Sequence, residues 1–525
     1  MQEDKVMRQA NRDLHTSSPQ VVPQSNGTVG CLECPLVFET LFHYARTTPD
    51  AIVLRHGKRT LSYAELAESV LRDVAWLDQL GLASGDRVAI WGPKSPEQVS
   101  LLWAAMASGR VVVPINPLLK PAQVVHILAD SGARLLVTDA ARIAALDVPS
   151  GCRIETVDAQ RPTVGKTTLP PVTSDHLAAL FYTSGSTGPP KGVMISHGNL
   201  AAGAASVSEY LKLTANDRLL AVLPLSFDYG FSQLTTALAV GASVSLLDYL
   251  LPNDLKRIIE QDRITVLAGV PGLLIPLSRQ RWLADMRSLR LITNSGGKLP
   301  VPTVRALRTT LPTADLVLMY GLTEAFRSTW LPPELVDKHP ESIGQGIPRA
   351  TVRVLDANGQ PCAPGQSGEL VQGGPLVAQG YWNDPQRSAQ RFRPAPAGWP
   401  EPEQKTVVYS GDRVRIGEDG LLYFEGRFDE QIKTGGYRVS PEEIETVAAS
   451  FPTVHEVLAY GVEDALLGQK IVLTVAPEHV DTEALKAHLA ANLPRYMLPA
   501  RIDCRPALPR SPNGKLDRRA LMAES

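Results

Sequence analysis

The segment Tyr182–Gly192 reads YTSGSTGPPKG and holds two serines, two threonines, three glycines and one lysine. Glycine lets backbone N–H groups approach an anion closely, hydroxyl groups add hydrogen-bond donors, and lysine adds a positive charge. The apolar run Leu177–Phe181 before it predicts a buried strand, and Ser196 after it predicts the N-cap of a helix. The order strand, loop, helix therefore predicts a polyphosphate-binding loop.

The spacing of this loop excludes two common phosphate-binding motifs. It is not the Walker loop GxxxxGK[ST], because Gly192 rather than a hydroxyl residue follows Lys191. It is not GxGxxG either, because the segment is too rich in serine and threonine. A solvated glycine–serine linker is the remaining alternative, and it is disfavoured because linkers seldom lie between an apolar strand and a helix.

Length and composition bound the class of protein. With 525 residues the chain is too long for one hydrophobic core, so two or more domains are expected. The formal net charge of −2 argues against a nucleic-acid partner, which would require a basic excess. Five cysteines do not make a disulfide framework in a chain of this length, and a cytoplasmic location is expected.

Two segments bear on targeting. Residues 1–30 are polar and never become apolar, so we expect a disordered tail and no signal peptide. The apolar stretch between Arg218 and Asp248 is interrupted by Pro224 and Asp228, so no transmembrane helix and no stable membrane insertion are expected.

The pattern along the chain predicts an α/β protein. Strand-like runs alternate with helical stretches up to about residue 350; Arg87–Trp91, for example, predicts a strand and Ser95–Ser108 the helix after it. Between 351 and 424 short strands and glycine-rich turns predict a small β subdomain. We therefore expect a large N-terminal domain of layered α/β subdomains with the β subdomain, 31–425, and a small mobile α+β C-terminal lid domain, 426–525.

Further motifs follow the loop in order. Tyr320–Glu324 reads YGLTE after an apolar strand, Asn294–Lys298 reads NSGGK, and Tyr409–Asp412 reads YSGD. Together with the loop they closely resemble the AMP-forming adenylating superfamily, which includes acyl-CoA synthetases, luciferase and the adenylation domains of peptide synthetases. The resemblance covers residues 36–521. It implies an enzyme that uses ATP and Mg²⁺ to adenylate a carboxylic acid.

The resemblance assigns the nucleotide site. It implies that Glu324 ligates Mg²⁺, that Thr323 hydrogen-bonds the α-phosphate and that Tyr320 packs on the adenine. Asp412 and Arg427 would hold the ribose, a geometry that suits a carboxylate. The remaining nucleotide-binding positions are Thr183, Ser184, Gly185, Ser186, Thr187, Gly188 and Lys191 around the phosphates, and Gly296 and Gly297 beside the adenine.

The predicted small domain carries two candidate catalytic lysines. Lys515 lies in PRSPNGKLD, similar to the superfamily's C-terminal lysine segment, and would bridge the carboxylate and the α-phosphate during adenylation. Lys433 lies in QIKTGGYRV and matches a lysine from the opposite face of that domain. Asp429 occupies the position of the hinge about which the small domain rotates between the two half-reactions.

The identity of the acid should depend on Phe227, Asp228 and Tyr229, which would line the substrate pocket. In amino-acid-activating relatives an FDxS pattern sets an aspartate against the substrate ammonium, and Asp228 falls on that position. A turn in which Asp228 bonds to main chain is the equally weighted alternative.

The expected reaction is acid–thiol ligation with coenzyme A as the acceptor. The alternative is a stand-alone amino-acid adenylase that loads the phosphopantetheine of a carrier protein. The stretch around YGLTEAFRSTWLPPE also resembles one subgroup, the acyl-CoA ligases associated with exosortase systems. The expected partners are a small carboxylic acid and, in the alternative, an acyl carrier protein.

Overall fold

The computed structural model describes residues 36–144, 146–163, 168–183, 190–249, 251–401, 403–428, 431–509 and 516–523. The predicted tail 1–30 lies outside these ranges. So do several predicted site residues: Ser184, Gly185, Ser186, Thr187, Gly188, Asp429 and Lys515.

The strands of the described part, in chain order, are β1 Ile52–His56, β2 Arg59–Ser62, β3 Arg87–Trp91, β4 Val111–Ile115, β5 Leu135–Thr138, β6 Arg153–Thr156, β7 Leu177–Thr183, β8 Lys191–Ser196, β9 Arg218–Ala221, β10 Ser243–Leu246, β11 Val266–Gly269, β12 Leu291–Asn294, β13 Asp315–Tyr320, β14 Thr329–Leu331, β15 Gln345–Gly346, β16 Thr351–Leu355, β17 Ser367–Gly373, β18 Phe392–Pro394, β19 Thr406–Ile416, β20 Leu422–Arg427, β21 Ile432–Thr434, β22 Tyr437–Val439, β23 Glu456–Asp464, β24 Gly468–Ala476 and β25 Arg501–Cys504.

The helices of the described part, in chain order, are α1 Val37–Thr47, α2 Tyr63–Gln79, α3 Pro96–Ala107, α4 Pro121–Ser131, α5 Ala140–Ile143, α6 His197–Tyr210, α7 Asp228–Val240, α8 Pro252–Asp262, α9 Pro271–Ser278, α10 Val301–Thr310, α11 Pro385–Arg391, α12 Pro441–Ala449, α13 Thr482–Asn492 and α14 Arg518–Ala523. Short 3₁₀ turns include Thr323–Ala325.

Two large sheets form the layered part of the fold. The first has the order β15-β14-β13-β12-β11-β9-β10-β1-β2, and the second the order β6-β5-β3-β4-β7-β8. Strands β9 to β13 run parallel to one another within the first sheet, as do β3 to β7 within the second. One hydrophobic cluster spans both sheets and the helices packed on them. The predicted α/β class is confirmed.

The predicted order of strand, loop, helix is wrong in one respect. A further strand, β8, follows the loop and pairs antiparallel with β7, with Thr183 opposite Lys191. The helix therefore begins after β8; residues 184–189 of the loop lie outside the described ranges. The segment Lys191–Ser196 forms a strand because it contains the β-branched residues Val193 and Ile195, which favour extended backbone, and because β7 is available to pair with it. The predicted N-cap is present: the Ser196 hydroxyl accepts a hydrogen bond from the N–H of Asn199.

Two smaller sheets follow. One has the order β16-β17-β19-β18, with β20 also paired to β19, and the other has the order β22-β21-β24-β23, with β25 paired to β24. The pairing of β20 continues to Arg427, and a separate hydrophobic cluster begins at Ile432. The boundary at residues 425 and 426 stays a prediction. Within the described ranges, no helix has the length and apolarity needed to cross a bilayer.

Candidate active site

Three of the segments that carry predicted site residues lie at one edge of the first large sheet. Strands β9, β11, β12 and β13 are parallel neighbours, and their carboxyl ends lead into the segments that carry Phe227, Gly296 and Glu324. Ligands of open α/β sheets bind at this edge, where loops of adjacent strands meet. A cavity of about 120 Å³ lies there, lined by Thr183, Phe227, Thr323 and, from the C-terminal part of the chain, Lys433 and Arg438.

Lys191 of β8 and Glu324 of the 3₁₀ turn after β13 come together in the site. Lys191 Nζ lies 3.7 Å from Glu324 Oε1 and 3.7 Å from the ring centre of Tyr381, whose hydroxyl donates to Glu324 Oε1 over 2.7 Å. Burial lowers the pKa of Lys191 to about 8, although Glu324 opposes this shift. The lysine is thus a poorly solvated cation beside a carboxylate, which is a setting that favours binding of an anion with a metal ion.

Glu324 is buried, yet it stays ionised. Burial alone would raise its pKa, but Lys191, Arg438 and Arg391, together with the hydrogen bond from Tyr381, outweigh burial and lower the pKa to about 2. Its second oxygen, Oε2, lies 4.0 Å from Arg438 and accepts no hydrogen bond from the described residues. A buried carboxylate oxygen with open coordination fits a hard cation such as Mg²⁺.

The predicted ribose residues form a buried network with the predicted adenine residue. Asp412 and Arg427 are paired across β19 and β20, and Arg427 Nη1 lies 2.5 Å from Asp412 Oδ1. The hydroxyl of Tyr320 donates to Asp412 Oδ2. Burial and the charge of Asp412 raise the pKa of Tyr320, so the phenol stays neutral. We call Lys191, Glu324, Asp412 and Arg427 the nucleotide end of the site.

The glycine pair beside β12 packs against a turn of the C-terminal part. Gly296 has φ +76°, and a Cβ there would lie 3.5 Å from the ring of Phe227 and 3.7 Å from the carbonyl oxygen of Gly436. A Cβ on Gly297 would lie 2.8 Å from Pro271. These positions need glycine because the chain passes close to its neighbours with a left-handed backbone at Gly296.

Lys433 enters the site from the strand before that turn. It lines the cavity, and its ammonium lies 5.6 Å from the ring centre of Phe424. Burial lowers the pKa of Lys433 to about 8, and Arg438 lowers it further while Asp412 opposes the shift. Lys515 lies outside the described residues; the flanking residues Leu508 and Leu516 pack with Leu458 and Tyr460.

The acid end of the site comprises Phe227, Asp228, Tyr229 and, from the YGLTEAFRS stretch, Arg327. Asp228 is the first residue of α7, and its Oδ2 lies 2.8 Å from Arg327 Nη1. Thr323 Oγ1 lies 3.3 Å from Asp228 Oδ1. The Tyr229 hydroxyl meets Thr293 Oγ1 at 2.6 Å. Neither sequence alternative for Asp228 described this side-chain pair.

Sequence reasoning missed four residues that surround the predicted ones: Arg327, Tyr381, Arg391 and Arg438. Arg327 and Arg438 stand inside motifs already quoted, three residues after Glu324 and five after Lys433. Each arginine is far along the chain from its partner. A local sequence pattern therefore could not predict that Arg327 pairs with Asp228 or Arg438 with Glu324.

Comparison with known proteins adds a family. The family described as AMP-binding enzyme matches residues 41–382, and that described as AMP-binding enzyme C-terminal domain matches residues 443–515. A feruloyl-CoA synthase from Amycolatopsis is 34% identical over 492 residues, which are 90% of this chain and 95% of the relative. An L-proline–[L-prolyl-carrier protein] ligase from Pseudomonas fluorescens is 31% identical over 93% of this chain and 98% of the relative.

Among solved structures, one enzyme is similar in two states. A double mutant of the o-succinylbenzoate CoA synthetase of Bacillus subtilis, bound with its CoA product analogue, gives a TM-score of 0.82 at 26% identity, covering 93% of this chain and 98% of that one. The same enzyme in complex with its acyl-adenylate intermediate gives a TM-score of 0.67 at 27% identity, covering 92% of this chain and 97% of that one.

Proposed function

The chain belongs to the family of AMP-binding enzymes, and from that premise we propose an ATP-dependent, AMP-forming ligase that joins a carboxylic acid to a thiol. The observation that carries the proposal is the nucleotide end, where Lys191 lies 3.7 Å from Glu324 and Asp412 pairs with Arg427. Two anions react in such a step, so catalysis depends on neutralising and positioning charge.

The reaction has two steps. A carboxylate oxygen of the acid attacks the α-phosphorus of ATP, and the bond to the β-phosphate oxygen breaks, so that an acyl-adenylate and pyrophosphate form. A thiol sulfur then attacks the acyl carbon, AMP leaves, and the thiol proton is lost to solvent. The products are a thioester and AMP.

We propose the following roles in the first step. Lys191, with the hydroxyl-rich loop beside it, holds the β- and γ-phosphates; Thr323 contacts the α-phosphate; Asp412 and Arg427 hold the ribose. Glu324 would hold Mg²⁺ through its open oxygen Oε2, with phosphates and water as the other ligands. When bound, the ion neutralises charge on the phosphates. Among the described residues no group of three or more His, Cys, Asp and Glu side chains could hold a metal by itself.

We propose that the arrangement of this structure, in which the C-terminal part lines the cavity of about 120 Å³, serves the second step. In support, the C-terminal hairpin that carries Lys433 and Arg438 lines the reaction cavity. The relative bound with a CoA product analogue is also more similar, at a TM-score of 0.82, than the same relative with its acyl-adenylate, at 0.67. Asp429 is the proposed hinge of the change between the two arrangements.

We propose coenzyme A as the acceptor thiol. A largely apolar cavity of about 430 Å³ adjoins the site, lined by Leu223, Val270 and Gly272 of the large part and by Gly435 and Tyr437 of the C-terminal part. It suits an uncharged arm such as pantetheine, which coenzyme A shares with carrier proteins. The feruloyl-CoA synthase, 34% identical to this chain, supports the soluble thiol. The prolyl-carrier protein ligase keeps a carrier protein as the second candidate.

Exchange of labelled pyrophosphate into ATP tests the first step. We expect exchange that depends on a carboxylic acid when a panel of fatty, aryl and amino acids is offered. A folded protein that binds ATP but exchanges pyrophosphate with no acid would overturn the proposal. Coenzyme A or a phosphopantetheinyl carrier protein is then added, and the thioester is measured directly.

Two lysine variants separate the steps. Lys515→Ala should lose exchange by about 100-fold or more while it still binds ATP, because a cation at the reacting phosphate is lost. Lys433→Ala should keep exchange but slow thioester formation from a supplied acyl-adenylate. Lys486→Ala, an exposed lysine of the C-terminal part, is the matched control. Equal losses in both steps for both variants would contradict these roles.

A further inference from the structure

Arg327 and Asp228 form an ion pair inside the protein, at the wall of the reaction cavity. Their side chains are 2% and 6% exposed, and Arg327 Nη1 lies 2.8 Å from Asp228 Oδ2. Both residues line the cavity of about 120 Å³. The FDxS resemblance implies an aspartate at this position that meets the ammonium of an amino-acid substrate. Here the chain supplies its own cation for the carboxylate.

The guanidinium of Arg327 is fixed by several contacts. It lies 4.4 Å from the ring centre of Tyr229, and its Nη1 also donates to the carbonyl oxygen of Phe326 over 2.6 Å. Phe326 itself has φ +59°, an uncommon conformation for a bulky residue, and it turns the chain so that the next side chain enters the core. An incoming ammonium would have to displace a buried cation that is held on several sides.

Arg327 also takes up space beside α7. The cavity bounded by Tyr229, Ser232, Thr293, Met319 and Arg327 holds about 10 Å³. That volume is roughly what one water molecule requires. On this side of the guanidinium, a substrate group as large as an amino-acid side chain does not fit.

The pair has no net charge, which bears on both kinds of charged substrate. An ammonium next to the reacting carboxylate would be repelled by Arg327, and it would gain little from Asp228, because Arg327 already neutralises that carboxylate. A second carboxylate would be repelled by Asp228, and it would gain little from Arg327, because Asp228 already neutralises that guanidinium. Breaking a buried pair leaves one charge uncompensated, which is strongly unfavourable.

We infer that Arg327 determines substrate class: the enzyme activates acids that carry no charged group on the carbon next to the reacting carboxylate, and it rejects α-amino acids. The inference rests on the proposed function and narrows it. It favours a simple acyl or aryl acid over the amino-acid alternative.

Matched sets of acids test the inference in the pyrophosphate-exchange assay. Each set differs only at carbon 2, which bears hydrogen, ammonium or carboxylate: propanoate, alanine and methylmalonate; 3-phenylpropanoate, phenylalanine and benzylmalonate; octanoate, 2-aminooctanoate and hexylmalonate. Three sizes are used because the length of the acid is unknown. In the set that fits best, we expect kcat/KM for the uncharged member to exceed that for each charged member about 100-fold, since an uncompensated buried charge opposes both.

Variants of the pair supply the second readout. Arg327→Met frees Asp228, so the preference for the uncharged acid over the amino acid should fall about tenfold or more. Arg327→Lys keeps a cation and should keep the preference. The double variant Asp228→Asn with Arg327→Met has no buried charge, so it should fold, and it should still reject the amino acid. Arg305→Met, at an exposed arginine, is the matched control.

The outcomes are distinct. Exchange with amino acids in preference to their uncharged analogues would overturn the inference and leave the proposed function standing. The same preference in wild type and in a folded Arg327→Met variant would also overturn it. Exchange with no member of these sets and with no acid of the fatty, aryl and amino-acid panel would overturn the proposed function and this inference together. A preference for uncharged acids that falls in Arg327→Met and is kept in Arg327→Lys would support it.

Discussion

The two ends of the site handle buried charge in opposite ways. At the nucleotide end, the cations around Glu324 outnumber it: Lys191, Arg391 and Arg438 act on this carboxylate, whose oxygen Oε2 receives no hydrogen bond from the described residues. At the acid end, Asp228 and Arg327 neutralise each other. The oxygen Oε2 of Glu324 is therefore open to a ligand, whereas the charges of Asp228 and Arg327 are balanced without one, although Arg327 Nε has no hydrogen-bond partner among the described residues.

The difference indicates which end defines the reaction and which end selects the substrate. An excess of positive charge around one carboxylate stabilises a bound polyphosphate and its metal ion. This stabilisation does not depend on which carboxylic acid is the substrate. A neutral pair has no net charge to attract a charged substrate group, and breaking the pair costs free energy. Substitutions at the nucleotide end should therefore affect every acid alike, whereas substitutions at the acid end should alter the ranking of acids.

The largest effect is expected at Glu324. Glu324→Gln removes the charge but keeps the shape, so exchange should fall about 100-fold or more with every acid, because charge neutralisation at the phosphates is lost. The ranking of acids should stay the same. Exchange assays over the full panel check this, with the exposed Glu341→Gln as control. A loss confined to some acids would break the proposed division between the two ends.

A smaller effect is expected from pH at the same end. The pKa of Lys191 is about 8 without ligand, so the lysine is charged below that pH and loses its charge above it. Because bound phosphate favours the charged form, affinity for ATP should fall about tenfold between pH 7 and pH 9. Titration of ATP binding measures this. Lys191→Arg should remove the fall, since an arginine stays charged, and a fall that persists in this variant would assign the pH dependence elsewhere.

At the acid end, Gly203→Ala should act through Phe326. A Cβ at Gly203 in α6 would lie 2.7 Å from the Phe326 ring, so the ring must move and with it the adjacent Arg327. We expect about 1–3 kcal/mol of lost stability from overpacking, measured by denaturant unfolding, and a change in the ranking of acids. Adding Phe326→Leu should restore part of both. An unchanged ranking in the folded variant would show that Arg327 tolerates the displacement.

The smallest effect is expected at Ser232. Arg327 Nη2 reaches Ser232 Oγ only at 3.4 Å, a long and weak hydrogen bond. Ser232→Ala should therefore change kcat/KM for the best acid by about twofold, because a bond of this length contributes little. A large loss in this variant would mean that Arg327 depends on Ser232 more than on Asp228, and the account of the acid end would need revision.

Sequence patterns predicted much of this architecture. The alternation of apolar runs and helical stretches predicted the α/β class, and Ser95 and Ser196 predicted the starts of α3 and α6. The strand after the phosphate loop was missed, because a short run such as Lys191–Ser196 is ambiguous without its partner β7. The roles of Ser184–Gly188, Asp429 and Lys515 stay predictions, as does the resemblance to the exosortase-associated ligases.

The sequence by itself determined the family and the chemistry, because the loop, YGLTE and YSGD motifs place reactive residue types at fixed spacings along single segments. The tertiary structure alone decided which charges meet. Asp228 and Arg327 are 99 residues apart, and Lys191 lies in β8 of one sheet whereas Glu324 lies in the 3₁₀ turn after β13 of the other. Electrostatic interactions depend on distance in space and on exclusion of water, and neither can be read from spacing along the chain. The identity of the acid is therefore a property of the folded site.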